Sequence, residues 1–224
     1  MKGKLSLVAT PIGNLEDITL RAIRVLKEAD YVLCEDTRVT GVLLKKYEIE
    51  AKLKRYDAHA SEQTHLNVID DIKSGKQIAL VSDAGTPGVS DPGVLLVRQA
   101  REAGVSIEVI PGPSAVTSAF SLAGISGNQF TFLGFVPQKK GRETFFKGLS
   151  SYKEPVIFFE STHRILKTLV SLNDHLSNSK LYIARELTKI HEEMLIGTAG
   201  EILADLEAEP IRQKGEFVVI VDNP

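Results

Sequence analysis

The chain has 224 residues with 43% hydrophobic and 25% charged side chains, proportions typical of a globular protein that buries a core. Its formal net charge of −2 argues against a protein that is basic overall and wraps nucleic acid, but leaves room for a local basic face. The single cysteine, Cys34, excludes an internal disulfide and a cysteine-based metal site, and suits a reducing cytoplasm. The histidines lack metal-ligand spacing, and no apolar run approaches the ~20 residues that span a bilayer. We therefore expect a cytoplasmic protein with no metal and no membrane partner.

Strand-like and helical segments alternate through the first half of the chain. Strands are predicted at 5–9, 31–34, 54–56, 77–81 and 105–110, and helices at 17–27, around 42–44, at 63–74 and at 94–103. This alternation predicts an α/β fold with a mostly parallel N-terminal sheet.

The segment Ser82–Gly93, which follows the predicted strand at 77–81, is rich in glycine, proline and aspartate. Ligands of open α/β sheets bind beyond the carboxyl ends of the strands, so this position favours a ligand loop. Asp83 and Asp91 are suited to accept hydrogen bonds from ligand hydroxyl or ammonium groups. The alternative is a plain turn in which Asp91 caps the next helix and Pro92 occupies its first turn. The segment fits neither of the glycine-rich phosphate-binding patterns, GxGxxG and GxxxxGK[ST].

Four such loops follow predicted strands, at residues 10–14, 35–38, 82–93 and 111–114. Because the carboxyl ends of parallel strands lie at one edge of a sheet, the four loops are expected to define a cleft there.

The second half has its own set of elements, with helices predicted at 114–122, 141–149, 164–176 and 199–206, and strands at 130–135, 155–159, 181–184 and 216–221. This pattern predicts a second α/β unit with a mixed sheet. We expect an N-terminal domain at 1–115 and a C-terminal domain at 116–224.

Several motifs together resemble one known family. They are Val8–Asp17, Glu35–Arg38, Val81–Pro87, Pro111–Ala115, Gly134–Pro137, Phe159–Arg164 and Arg185–Lys189. The chain is similar from about Leu5 to Val221 to the ribosomal RNA small subunit methyltransferase I family, within the tetrapyrrole methylase superfamily. One departure is Thr162, which stands where this family is expected to have proline and predicts a less rigid loop.

The resemblance implies two α/β domains with S-adenosylmethionine (SAM) in the cleft between them, and a homodimer. It also implies 2′-O-methylation of a cytidine ribose in small-subunit (16S) ribosomal RNA near the decoding centre, as free RNA or within the 30S subunit. Two alternatives stay open: a methylase of the same fold that acts on a tetrapyrrole or diphthamide precursor, and a non-catalytic RNA-binding module.

Candidate site residues follow from loop position and from the resemblance. By position, SAM is assigned to Pro11, Asp83, Ala84, Thr86, Pro87 and Val89. The resemblance adds Ser114, Ala115, Phe159 and Gly215 as cofactor-binding positions.

For catalysis or RNA contact the candidates are Asp36, Arg38 and Glu160, followed by Arg164, Glu186 and Lys189. A general base near the ribose hydroxyl would add about 10²–10⁴-fold to the rate. For each of these residues the alternative is a structural ion pair. The basic run at 139–142, with Lys147 and Lys153, is a candidate for phosphate contact or simply a solvated helix start.

Overall fold

A computed structural model describes residues 2–222 and divides the chain between Ser114 and Ala115 into two units. The first unit contains the strands β1 Lys4–Val8, β2 Tyr31–Cys34, β3 Leu53–Arg55, β4 Gln77–Leu80 and β5 Ser106–Ile110. Its helices are α1 Leu20–Glu28, α2 Thr37–Lys46, α3 Glu62–Lys73 and α4 Val94–Glu102.

The strands of the first unit form one sheet in the order β3-β2-β4-β1-β5. Every pairing in it is parallel, so the prediction of a mostly parallel sheet is confirmed. The β2 strand is buried along its whole length, as expected where helices cover both faces of a parallel sheet. The apolar side chain of Leu20, at the start of α1, is 85% exposed.

The second unit contains α5 Ala115–Ala123, β6 Thr131–Phe135, α6 Arg142–Leu149, β7 Val156–Ser161, α7 Ile165–His175, β8 Lys180–Arg185, β9 Glu193–Gly197, α8 Ala199–Ala208 and β10 Glu216–Asp222. Its sheet has the order β6-β7-β10-β8-β9. The β6–β7 pair is parallel and the other pairs are antiparallel, which confirms the predicted mixed sheet. The edge strand β9 was not predicted.

Candidate functional site

Two of the predicted loops are joined to each other beyond the carboxyl ends of β1 and β4. The backbone N–H groups of Thr10 and Gly85 each donate to the other residue's carbonyl oxygen, at 2.9 and 3.0 Å. The buried Thr10 hydroxyl also donates to the Ser82 carbonyl oxygen at 3.1 Å. These bonds fix the start of the 82–93 loop against the end of β1.

A third loop, after β2, is attached to the same place through Asp83. The backbone N–H of Asp36 donates to the Asp83 carboxylate at 3.1 Å, and the Glu35 carboxylate accepts from the Asp83 backbone N–H. The fourth loop comes close to β1, since a Cβ atom on Gly112 would lie 3.0 Å from the Ala9 Cβ. The first unit therefore brings all four predicted loops to one edge of its sheet.

The start of α4 differs from the plain-turn alternative, in which Asp91 caps the helix and Pro92 lies in its first turn. The residue that caps α4 is Gly93, with φ +125°, and no side chain accepts from the first turn. Pro92 precedes the helix rather than occupying its first turn, and Asp91 is hydrogen-bonded to Ser82. A Cβ at Gly93 would lie 2.8 Å from the Leu80 Cδ2, so the close turn requires glycine. The capping roles considered for Asp91 and Pro92 are therefore wrong.

This edge holds several carboxylates, and the positive charge of Arg38, which pairs with Asp36, also interacts with Asp83. Burial raises the pKa of Glu35, and the charges of Asp91 and Asp83 raise it further. Burial also raises the pKa of Asp91, against a hydrogen bond from Ser82 that lowers it. Among residues 2–222, Glu35, Asp83 and Asp91 form no ion pair within 4.0 Å. Such a group attracts a positively charged ligand and repels phosphate.

The SAM-binding positions assigned to the first unit lie along this edge. Asp83, Ala84 and Val89 are exposed, Thr86 and Ser114 are half-buried, and Pro11 and Pro87 are buried. In the second unit, Ala115 begins α5, Phe159 lies in β7, and Gly215 immediately precedes β10. Their assignment to the cofactor stays a prediction.

Asp36 and Arg38, two of the catalytic candidates, form a local pair at the start of α2. The Asp36 carboxylate caps α2 by accepting from the Arg38 backbone N–H at 2.8 Å, and it also accepts from the guanidinium Nε at 3.0 Å. The side-chain hydrogen bond from Arg38 lowers the pKa of Asp36 to about 2. Because an effective general base has a pKa near the working pH, this pairing favours the ion-pair alternative for Asp36. The Arg38 side chain is 89% exposed.

Glu160, the third catalytic candidate, is buried inside the second unit. Its carboxylate lies 3.0 Å from the Arg164 Nε and 3.8 Å from Arg142 Nη1, and accepts from the Thr168 hydroxyl at 2.6 Å. The Ser161 backbone N–H also donates to it, at 2.7 Å. This saturated environment favours a structural ion-pair network over contact with a substrate.

The segment after β8 is backbone-strained and tied to the start of β10. Glu186 and Thr188 have φ of 52° and 64°, which non-glycine residues rarely adopt. Lys189 bridges Glu186 and Glu216, at 3.0 and 2.9 Å. Outliers of this kind persist only where the surroundings hold them, and they concentrate at functional sites.

Thr162 also holds the start of β10, a role that the sequence did not suggest. Its hydroxyl accepts from the Gly215 N–H at 2.8 Å and donates to the Gly215 carbonyl at 2.6 Å. The residue expected to loosen its loop therefore forms two hydrogen bonds across 53 positions of sequence.

The basic side chains predicted at 139–142 and at Lys147 do not share one surface role, because some of them pair within the protein and others do not. Arg142 turns inward to Glu160, and Lys147 pairs with Glu143 at 3.3 Å. Lys139 and Lys140 are exposed and form no ion pair with any residue between 2 and 222.

Among residues 2–222 there is no group of three side chains that could hold a metal ion, and no helix is long and apolar enough to cross a membrane.

Residues 4–203 match the family model described as Tetrapyrrole (Corrin/Porphyrin) Methylases. The chain is 42% identical to the ribosomal RNA small subunit methyltransferase I of Thermotoga maritima, over 99% of both chains. It is 46% identical to the protein of that name from Halalkalibacterium halodurans, over 99% of this chain and 76% of the relative.

Solved structures of two proteins share the fold. Diphthine synthase superimposes with a TM-score of 0.76 at 16% identity, over 98% of this chain and 90% of that one. A cobalt precorrin-4 methyltransferase superimposes with a TM-score of 0.73 at 19% identity, over 98% and 94%. At these identities the likeness is one of architecture.

Proposed function

Because the chain belongs to the ribosomal RNA small subunit methyltransferase I family of tetrapyrrole methylases, we propose that it methylates the 2′-oxygen of a cytidine ribose in 16S ribosomal RNA near the decoding centre. The methyl donor is SAM, and the substrate is this RNA, free or within the 30S subunit. The observation that best supports the proposal is the edge of the first sheet. There the hydrogen-bonded pairs Thr10–Gly85 and Asp36–Asp83 join three loops into one surface beyond the strand ends.

The chemistry of this edge fits the cofactor. SAM supplies a methyl group on a positively charged sulfur and also carries an ammonium group. The carboxylates of Glu35, Asp83 and Asp91, which form no ion pair within 4.0 Å among residues 2–222, suit those charges. The exposed side chains and backbone at Asp83, Ala84 and Val89 suit a ligand that binds along the loop.

The protein's part in the reaction is positioning more than proton transfer. In-line transfer requires the ribose oxygen, methyl carbon and sulfur to be aligned, and alignment supplies as much as roughly 7–11 kcal/mol. Asp36 holds Arg38 at the start of α2, and the exposed Arg38 guanidinium is available to a phosphate of the RNA. Glu160 acts as a positioning residue that fixes Arg164 and Arg142.

The family resemblance also implies a homodimer. We propose that two copies associate through the free edge of β5, where Val109 is 54% exposed, and the nearby start of α4, where Val94 is 63% exposed. Sedimentation equilibrium of the purified protein tests this, and a monomer at micromolar concentration would overturn it. Because the proposed substrate is ribosomal, we propose that the protein acts in the cytoplasm.

The deciding experiment incubates the purified protein with methyl-labelled SAM and small ribosomal subunits that lack the modification. Naked 16S RNA and uroporphyrinogen serve as parallel substrates. We expect the label in ribosomal RNA, at a ribose position that resists alkaline hydrolysis. Label in the tetrapyrrole, or in no substrate despite SAM binding, would overturn the proposal.

A further inference from the structure

Three phenylalanines share one face of the second sheet although their spacing in sequence does not predict it. Phe132 and Phe135 are three residues apart in β6, so regular alternation would point them to opposite faces. In the pairing with β7, however, Phe132 lies opposite Ile157 and Phe135 opposite Phe159. Three steps along β6 therefore match two steps along β7, which is a β-bulge. Gly134, with φ +68°, lies inside it.

The bulge brings both rings against Phe159. The ring centroids of Phe132 and Phe135 lie 4.9 and 5.2 Å from that of Phe159, each with an interplanar angle of 62°. Bulges concentrate next to active sites, where they redirect a side chain. Here the redirected side chain is Phe135.

The three rings are not part of the hydrophobic core. The core aromatics of this unit are Phe146, Phe158 and Phe217, at most 1% exposed. In contrast, Phe135 is 53% exposed, while Phe132 and Phe159 are half-buried. The edge-to-face packing fixes the orientation of the Phe135 ring and leaves much of its surface open.

We propose that the exposed ring of Phe135, oriented by its packing on Phe159 beside Phe132, is an aromatic platform on which a nucleobase of the ribosomal RNA substrate stacks; this inference rests on the proposed function. Aromatic side chains bind unpaired bases through their π faces, whatever the base. Charge supports an RNA occupant, because Lys139 and Lys140 follow Phe135 closely, are exposed, and form no ion pair within residues 2–222. They are placed to meet the phosphates that accompany a stacked base.

The central test measures binding of unmethylated 30S subunits and of SAM to three variants. Phe135→Ala removes the open ring, Phe135→Trp keeps an aromatic surface, and Phe130→Ala is the matched control. Phe130 is 36% exposed and its ring contacts Phe120, not Phe159. Thermal unfolding of each variant verifies that the fold is retained.

We expect Phe135→Ala to weaken subunit binding by roughly 5- to 150-fold, the usual effect of losing one base–aromatic stack. SAM affinity should be unchanged, Phe135→Trp should restore binding, and Phe130→Ala should bind like the parent. Wild-type subunit affinity in Phe135→Ala overturns the platform. Loss of SAM affinity instead would assign the ring to the cofactor, and loss of self-association would assign it to a second copy; either result also overturns the platform.

A second measurement uses Lys139→Gln/Lys140→Gln. If both lysines contact single-stranded phosphates, the slope of log affinity against log salt becomes shallower by about 1.4. An unchanged slope overturns the phosphate contacts. Methyl transfer by the unaltered protein is scored first: its absence overturns the proposed function, whereas transfer with an unaffected Phe135→Ala overturns the platform alone.

Discussion

The paired carboxylates of the second unit and two carboxylates at the loop edge of the first unit, Glu35 and Asp91, have opposite surroundings. In the second unit, Glu160 is surrounded by Arg142, Arg164 and Thr168. Glu193 likewise pairs with Arg185 and Arg212, at 2.9 and 2.8 Å. Burial raises the pKa of Glu193, but these hydrogen bonds outweigh it and the net shift is downward.

At the loop edge of the first unit the balance is reversed. Burial and neighbouring carboxylates raise the pKa of Glu35 and Asp91, and no arginine or lysine pairs with either among residues 2–222. A buried charge that is paired within the protein serves the fold. A group with a raised pKa and no ion pair, in a cluster of loops, is a candidate for a site whose partner is a ligand.

The largest expected effect is on the second unit's network. Glu160→Ala should lower the free energy of unfolding by about 3 kcal/mol, because it leaves two largely buried guanidinium groups without their counter-charge. Urea denaturation measures this loss. Glu207→Ala, at an exposed position of α8, is the control and should change stability little. A stable Glu160→Ala that binds SAM normally but fails to transfer methyl would restore the catalytic interpretation.

A second, smaller effect concerns the loop edge of the first unit. Asp83→Asn keeps an oxygen to accept from the Asp36 N–H but removes the negative charge. SAM affinity should fall by roughly 10- to 150-fold, as for the loss of a charged hydrogen-bond partner. Isothermal titration calorimetry measures it, with Asp70→Asn on the exposed face of α3 as the control. Unchanged affinity for Asp83→Asn would contradict the role proposed for this edge.

Thr162 gives a third prediction, of intermediate size, at the start of β10. Thr162→Val preserves shape but leaves the Gly215 N–H without its acceptor. The free energy of unfolding should fall by about 1–3 kcal/mol. Thr162→Ser retains the hydroxyl and should preserve most of the stability. Equal losses of unfolding free energy in Thr162→Val and Thr162→Ser would contradict the role of the hydrogen bonds.

The sequence predicted the positions of the loops well because each lies where an apolar run meets glycine, proline or charge. It did not predict β9, since Leu195 is the one buried side chain of that edge strand and alternation is hard to detect there. The bulge at Gly134 was equally hidden, because the register of β6 is set by β7 and not by local pattern.

The distinction between the two kinds of carboxylate also depended on tertiary structure. In the sequence, Glu160 and Asp83 both come shortly after an apolar run, so their local contexts are alike. The two carboxylates differ in their partners in the folded protein. Glu160 contacts Arg142, 18 residues before it, and Thr168, 8 residues after it. A motif marks such a residue as special without saying whether its partner lies inside the protein.

The smallest expected effect is a dependence of SAM affinity on pH. It tests directly whether the carboxylates of Glu35 and Asp91 interact with the ligand. A cationic ligand binds the ionised carboxylates, so SAM affinity should weaken as pH falls through the pKa values of Glu35 and Asp91, which are raised above 4.5 and 3.8. The ammonium group of SAM stays protonated below about pH 7, so the change reports on the protein. Glu35→Gln should have weaker affinity at neutral pH and a flatter profile, when both are measured by calorimetry. A profile that Glu35→Gln leaves unaltered would mean that this carboxylate, like Glu160, serves the fold rather than the ligand.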